Sequence, residues 1–164
     1  METNENLSLK DLTMKTVTLL ALCYANRSKE IWAMETKFMS RSAGVYKFKI
    51  ARRVKHSKHG KNNPVMEFHE FEENHKLCPV KCLDEYINRT AQTMKDINTL
   101  SLFISMVKPF HPVTSQTISR WIVQMLASSG IDTKRFKAHS TRGASGSKAE
   151  SLGFNIYDIL KMGN

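Results

Sequence analysis

His139 and Arg142 are the two residues of this sequence whose types and spacing most directly suggest chemistry. They form a His-x-x-Arg pattern, and side chains three positions apart lie side by side on one face of a helix. An imidazole and a guanidinium placed in this way can both donate hydrogen bonds to the oxygens of one phosphate. Lys137 lies just upstream and would extend the same cationic surface. For this short motif alone, a helix-capping histidine beside a solvated arginine stays an open alternative.

A second arginine that could bind phosphate lies far upstream, in the sequence Arg27-Ser28-Lys29-Glu30. Two arginines that converge on one phosphodiester would each offer planar, bidentate hydrogen bonds to its oxygens. Such a pair can stabilise the charge that develops during transfer at phosphorus without a metal ion. Because no cluster of acidic residues lies beside either arginine in the sequence, we predict a phosphate site with no metal at Arg27 and Arg142.

The excess of positive charge is concentrated in one stretch of the chain. The formal net charge is +10, and residues 41–61 contain eight basic residues and no acidic one, whereas the rest of the chain holds 17 basic and 15 acidic residues. Lysine and arginine at this density attract polyanions such as DNA. We therefore predict a DNA-binding surface that includes Lys47, Lys49, Arg52, Arg53, Lys58 and Lys61. A solvated basic loop or a localisation signal is the alternative.

Length and composition limit the class of protein. The 164 residues, of which 41% are hydrophobic, fit a single globular domain over 1–164. No apolar run approaches the roughly 20 residues that cross a bilayer, and the polar start of the chain lacks the apolar stretch of a secretory signal. Three cysteines without a framework spacing favour reduced thiols and an intracellular setting. We expect no membrane partner.

Helical patterns predominate in the sequence. Ser8 and Asp11 resemble a capping box at the start of a buried helix that runs to about Tyr24. Further helices are expected around 30–32, from Pro79, from a cap at Thr114 or Ser115 to Gly130, over 138–152 and after Asn155. Residues 91–100 are predicted to be a polar connection.

Two extended segments, 36–39 and 45–54, are predicted around Ser42-Ala43-Gly44, and residues 64–68 would return as a partner strand after a turn over 56–63. Alternation places Tyr46, Phe48 and Ile50 on one face, and Lys47, Lys49 and Arg53 on the other. The predicted fold class is therefore mainly α with a small antiparallel β-sheet or hairpin.

The order of these motifs resembles the catalytic domain of the tyrosine recombinases, also called the phage integrase family. That family has an arginine with an acid three residues later, a lysine on a β-hairpin, a His-x-x-Arg motif, then a histidine or tryptophan and a nucleophilic tyrosine. Here the matching residues are Arg27 with Glu30, Lys55, His139 and Arg142. The stretches 19–22 and 77–80 look most like the eukaryotic mobile-element branch.

The resemblance implies DNA recombination and integration by transesterification at phosphorus, with a covalent phosphotyrosyl intermediate and no cofactor. Arg27 and Arg142 would hold the phosphate, His139 would bind a non-bridging oxygen, and Lys55, or Lys58 as the fallback, would protonate the leaving hydroxyl. Glu30 would support the site without reacting. The implied partners are double-stranded DNA and further copies of the chain on DNA, and the implied location is the nucleus.

The sequence after Arg142 departs from the family pattern. Tyr157 is its only tyrosine, lies before the position expected for the nucleophile, and is interpreted as a packing residue. We therefore expect that this chain lacks the segment with the last two catalytic positions and does not cleave DNA by itself. The alternative is a DNA-binding relic of a mobile element without catalysis, and an RNA-binding or scaffolding role also stays open. A zinc site at His75, Cys78 and Cys82 is disfavoured because only three ligands are evident.

Overall fold

The computed structural model describes residues 4–24, 28–51 and 65–134, which form four α-helices and one three-stranded antiparallel sheet. The elements, in chain order, are α1 (Leu9–Tyr24), α2 (Ser28–Trp32), β1 (Met39–Ser42), β2 (Val45–Lys49), β3 (Val65–His69), α3 (Pro79–Asp96) and α4 (Ser115–Ser128). The predicted class, mainly α with a small antiparallel sheet, is confirmed. The turn predicted over 56–63 and the helices predicted over 138–152 and after Asn155 lie outside the described residues.

Helix α1 begins at the cap that the sequence predicts and forms the centre of the core. The amide of Asp11 donates to Ser8 Oγ at 3.0 Å, and the Ser8 hydroxyl in turn donates to the Asp11 carboxylate. Leu12, Val17 and Leu20 are fully buried, and α1 packs against both α3 and α4. A helix that is apolar on most of its circumference is stable only when other elements cover it in this way.

The sheet has the order β1-β2-β3, and a two-residue turn connects β1 to β2. Both turn residues have positive φ, 44° at Ala43 and 76° at Gly44, which is the conformation of a type I′ hairpin turn. The predicted alternation in β2 is confirmed, since Tyr46 and Phe48 are buried while Lys47 and Lys49 are exposed. Strand β2 ends at Lys49, earlier than predicted, although Ile50 is also buried.

Two further boundaries predicted from the sequence are wrong. Residues 36–38 form a short 3₁₀ helix instead of a strand, and β1 begins only at Met39. The polar connection predicted for 91–100 is helical to Asp96, because Thr90 and Met94 turn toward the core and keep α3 amphipathic. Two residues beyond the end of α3, Asn98 has φ 49° and its amide donates to the Lys95 carbonyl at 3.0 Å, which terminates the helix.

Helix α4 has the boundaries that the sequence predicts. Of the two proposed caps, Thr114 is the one used, because the Thr117 amide donates to its Oγ1 at 3.3 Å. At the other end Gly130 has φ 77°, and the amides of Gly130 and Ile131 donate to the carbonyls of Ala127 and Leu126, both at 3.0 Å. This pair of bonds is a Schellman motif, in which a glycine adopts the left-handed conformation.

Candidate nucleic-acid interface

The structure describes three of the residues that the sequence assigns to phosphate or DNA binding: Glu30, Lys47 and Lys49. The others, which include the whole predicted catalytic set, lie outside the described residues: Arg27, Arg52, Arg53, Lys55, Lys58, Lys61, Lys137, His139 and Arg142. Whether Arg27 and Arg142 converge on one phosphate therefore stays a prediction. The described part of the candidate interface is the sheet and the helices that hold it.

Lys47 and Lys49 lie on the exposed face of β2, which we call the outer face of the sheet. The strand register pairs Lys47 with Glu67 and Lys49 with Val65 of β3, and residues opposite each other in an antiparallel pair project to the same side. Because Tyr46 and Phe48 fill the buried face, the two lysines are held on the solvent side by the alternation of the strand. The predicted basic face of this strand is confirmed as an exposed surface.

The two lysines of the outer face differ in their electrostatic surroundings. Lys47 Nζ lies 2.8 Å from Glu67 Oε1 in the neighbouring strand. The hydrogen bond from Lys47 holds the pKa of the Glu67 carboxyl below its ordinary value. Lys49 is exposed and forms no ion pair with any residue that the structure describes. A polyanion on this face would therefore meet one uncompensated cation at Lys49 and one cation shared with Glu67 at Lys47.

Arg41, the first residue of the basic stretch, does not belong to the outer face. Its register partner is Tyr46, so it projects to the opposite side, which we call the inner face. One guanidinium nitrogen lies 2.8 Å from Glu70 Oε1 and 3.2 Å from Asp84 Oδ2. The stretch 41–61, although acid-free in sequence, is thus partly neutralised by carboxylates from β3, from the residue after it and from α3.

Arg41, Tyr46, Glu70 and Asp84 form a polar cluster that joins the sheet to α3. Tyr46 Oη donates to Asp84 Oδ1 at 2.6 Å, and the Arg41 guanidinium lies 5.2 Å from the centre of the Tyr46 ring. Burial, together with the hydrogen bond to Asp84, raises the pKa of Tyr46 above its ordinary value. The cluster fixes one edge of the sheet on a long helix, and it thereby orients the strand that carries Lys47 and Lys49.

Glu30 lies in α2 and is half-buried. Its helix packs against α1 and α4, and the neighbouring Ile31 is fully buried. The carboxylate is thus carried by a short helix that the core holds in place. This location is compatible with the predicted supporting role, which depends on residues outside the described part of the chain.

Cys78 and Cys82 lie at the start of α3, where the core covers both. Cys78 is the residue before α3, and its Sγ accepts a hydrogen bond from the Phe71 amide at 3.3 Å. Both thiols are buried, and Cys82 Sγ donates to Asn4 Oδ1 at 3.5 Å. Residues 4–24, 28–51 and 65–134 contain no group of three histidine, cysteine or acidic side chains arranged to hold a metal. In the same ranges no helix is both long and apolar enough to cross a membrane.

Sequence reasoning missed the acids that partner the basic stretch. Asp84 lies 43 positions from Arg41 and Glu70 lies 29 positions from it, so neither pair has a local signal. The pairing of Glu67 with Lys47 could have been predicted from the strand register. That prediction requires the correct alignment of β3 with β2.

Comparison with known proteins identified no relative: no protein-family model, no curated protein and no solved structure matches this chain.

Proposed function

We propose that this chain is a DNA-binding domain of the tyrosine recombinase type, in which Arg27 and Arg142 bind one backbone phosphate of duplex DNA. The outer face of the sheet, with Lys47 and Lys49, contacts neighbouring phosphates. The observation that carries the proposal is the position of Lys55 in the segment that connects β2 to β3. These strands pair antiparallel up to Lys49 and Val65, and Lys55 lies between these two residues in the sequence. The family pattern likewise has its lysine on a β-hairpin.

The packing of α2 against α4 also supports the proposal. Helix α2 begins at Ser28, directly after Arg27, and α4 precedes the segment with His139 and Arg142. These two helices pack against each other. The helix that directly follows Arg27 therefore lies beside the last described helix before Arg142, and this proximity supports a shared phosphate site.

The proposed residue roles follow from the chemistry of each side chain. Arg27 and Arg142 donate bidentate hydrogen bonds to the non-bridging oxygens and stabilise the charge on the pentacoordinate transition state. His139 donates to one of the same oxygens, and Lys55 transfers a proton to the 5′ oxygen as its bond to phosphorus breaks. The nucleophile that forms the new bond to phosphorus is a tyrosine hydroxyl, which we assign to no residue of this chain, and His139 assists the transfer of its proton.

Binding of a labelled duplex, measured by fluorescence anisotropy over a salt series, tests the proposal. Arg27→Ala and Arg142→Ala are each expected to weaken binding by about tenfold or more, which corresponds to the loss of one charge-assisted bidentate contact. Arg120→Ala is the matched control, because Arg120 is exposed on α4 and bonds only to Thr117 Oγ1 among the described residues.

A folded Arg27→Ala or Arg142→Ala protein that binds duplex DNA as well as the Arg120→Ala control would overturn the phosphate site. The same titration with a single-stranded RNA of equal length separates the proposal from an RNA-binding role. Equal affinity and equal salt dependence for the RNA would contradict a site built for duplex DNA.

A further inference from the structure

A shallow apolar groove of about 440 Å³ opens between the end of α1 and the residues around β3. Its walls include Leu19, Leu22 and Cys23 from α1, Phe68 and Phe71 from β3 and the turn after it, and Leu77. Glu67 and Glu70 also line the groove. Both carboxylates already form ion pairs, Glu67 with Lys47 and Glu70 with Arg41, so the groove itself is chiefly apolar.

The groove lies within the most acidic stretch of a strongly basic chain. Residues 67–73 include four glutamates and no lysine or arginine. Glu72 and Glu73 are exposed and form no ion pair with the residues that the structure describes. Negative charge of this kind repels the phosphates of DNA and attracts a cationic partner. The apolar groove, with Glu72 and Glu73 directly after its lining residue Phe71 in the sequence, thus fits an apolar segment that carries positive charge.

The chain itself presents a segment of that chemistry at the loop of residues 106–111, which we call the tip. Val107 is 72% exposed, more than any other large apolar residue that the structure describes. Lys108 and Pro109 beside it are exposed, and so is His111. No residue of the tip lines the groove of its own chain, so the tip of one copy is available to another.

The tip is held in one conformation by Ser105. The Ser105 amide donates to the His111 carbonyl at 2.8 Å, and the Ser105 hydroxyl accepts from the His111 amide at 3.0 Å. The same hydroxyl lies 3.1 Å from the Val107 carbonyl oxygen and 3.3 Å from that of Pro109. A loop ordered before binding loses little conformational entropy when it docks.

We propose that the tip of one copy of this protein inserts into the groove of a second copy, with Val107 against the apolar wall and Lys108 near Glu72 and Glu73. Apolar burial and opposite charge act together in this contact. Because the two surfaces are different, the contact is head-to-tail, and an open assembly has a free tip at one end and a free groove at the other. Assembly therefore continues beyond a dimer unless the ring closes.

Cross-linking through a native thiol tests the contact directly. Cys23 lines the groove and is exposed, whereas Cys78 and Cys82, the other two cysteines of the chain, are buried. In a Val107→Cys protein, copper-catalysed oxidation is expected to produce covalent dimers and higher species. The same variant with Cys23→Ser is expected to lose the higher species. Leu100→Cys, at a residue that is 51% exposed away from the groove, is the matched control.

Cross-linking of Leu100→Cys to the same extent as Val107→Cys, or cross-linking that survives Cys23→Ser unchanged, would overturn the proposal. Sedimentation of the unmodified protein provides an independent measurement. Val107→Ser, which leaves the charge unchanged, is expected to raise the dissociation constant for self-association by about tenfold, the effect of one buried valine. An unmodified protein that stays monomeric at millimolar concentration would also contradict the contact.

Discussion

Arg41 and Lys49 belong to the same basic stretch of sequence, yet the sheet gives them opposite surroundings. On the inner face Arg41 contacts two carboxylates and the Tyr46 ring, whereas on the outer face Lys49 forms no ion pair with a described residue. The difference arises from strand alternation, which sends neighbouring positions to opposite sides. A run of positive charge in a sequence therefore overstates the charge that a strand can offer to a ligand.

Phe48 and Lys49 are adjacent residues on opposite faces of the sheet. Their substitution is expected to give the largest difference in the free energy of unfolding. Phe48 is fully buried and its ring packs against those of Tyr46 and Phe68, so Phe48→Ala is expected to lower the free energy of unfolding by about 3–5 kcal/mol. Lys49→Ala is expected to change it by less than about 0.5 kcal/mol. Urea unfolding of both variants measures the two values, and similar losses would show that the faces are not distinct.

Asp84 is the residue through which α3 holds the inner face. Asp84→Ala removes the acceptor of the Tyr46 hydroxyl and one partner of Arg41, and we expect a loss of about 1–3 kcal/mol in the free energy of unfolding. Glu85→Ala, at the next position of α3, is the matched control and should change stability by less than about 0.5 kcal/mol.

The Asp84 effect can be assigned to the polar cluster by a double-mutant cycle. In a Tyr46→Phe background the Asp84→Ala change should cost less, because the hydroxyl that needed the carboxylate is already absent. An equal cost in both backgrounds would mean that Asp84 stabilises the fold without this hydrogen bond.

Much of the local structure could be predicted from the sequence, since its signals are short in range. The cap at Ser8, the alternation of Tyr46 and Phe48, and the end of α4 at Gly130 each depend on residues within a few positions. The length of α3 was missed because Thr90 and Met94 show their buried face only when the rest of the core is present. Of the candidate site, the exposure of Lys47 and Lys49 was predictable, whereas the ion pair of Lys47 with Glu67 depends on the register of β3 against β2.

A substitution at Glu67 is expected to strengthen the binding of duplex DNA to the outer face. Glu67→Gln removes one negative charge and releases Lys47 from its ion pair, so affinity for duplex DNA should rise by about two- to fivefold. The slope of the logarithm of affinity against the logarithm of salt concentration should become steeper by about one unit. Glu85→Gln changes the net charge equally and serves as the control.

Weaker binding by Glu67→Gln would exclude the outer face of β2 as a phosphate-contacting surface. The complementary change, Lys49→Ala, should reduce the salt slope by about 0.9 because one phosphate contact is lost. Lys95→Ala, at an exposed lysine of α3, should leave the slope nearly unchanged if the contact is local.

The smallest expected effect on the comparison of the two faces comes from Ala43, in the turn that connects β1 to β2. Ala43 has φ 44° and precedes Gly44 at φ 76°, and a left-handed conformation is unfavourable for alanine but tolerated by asparagine. Ala43→Asn should therefore raise the free energy of unfolding by about 0.5–1 kcal/mol and leave DNA affinity unchanged, since it alters neither the outer-face lysines nor the net charge. A change in affinity without a gain in stability would mean that the turn itself contacts DNA, and the outer face would then have to be extended to include it.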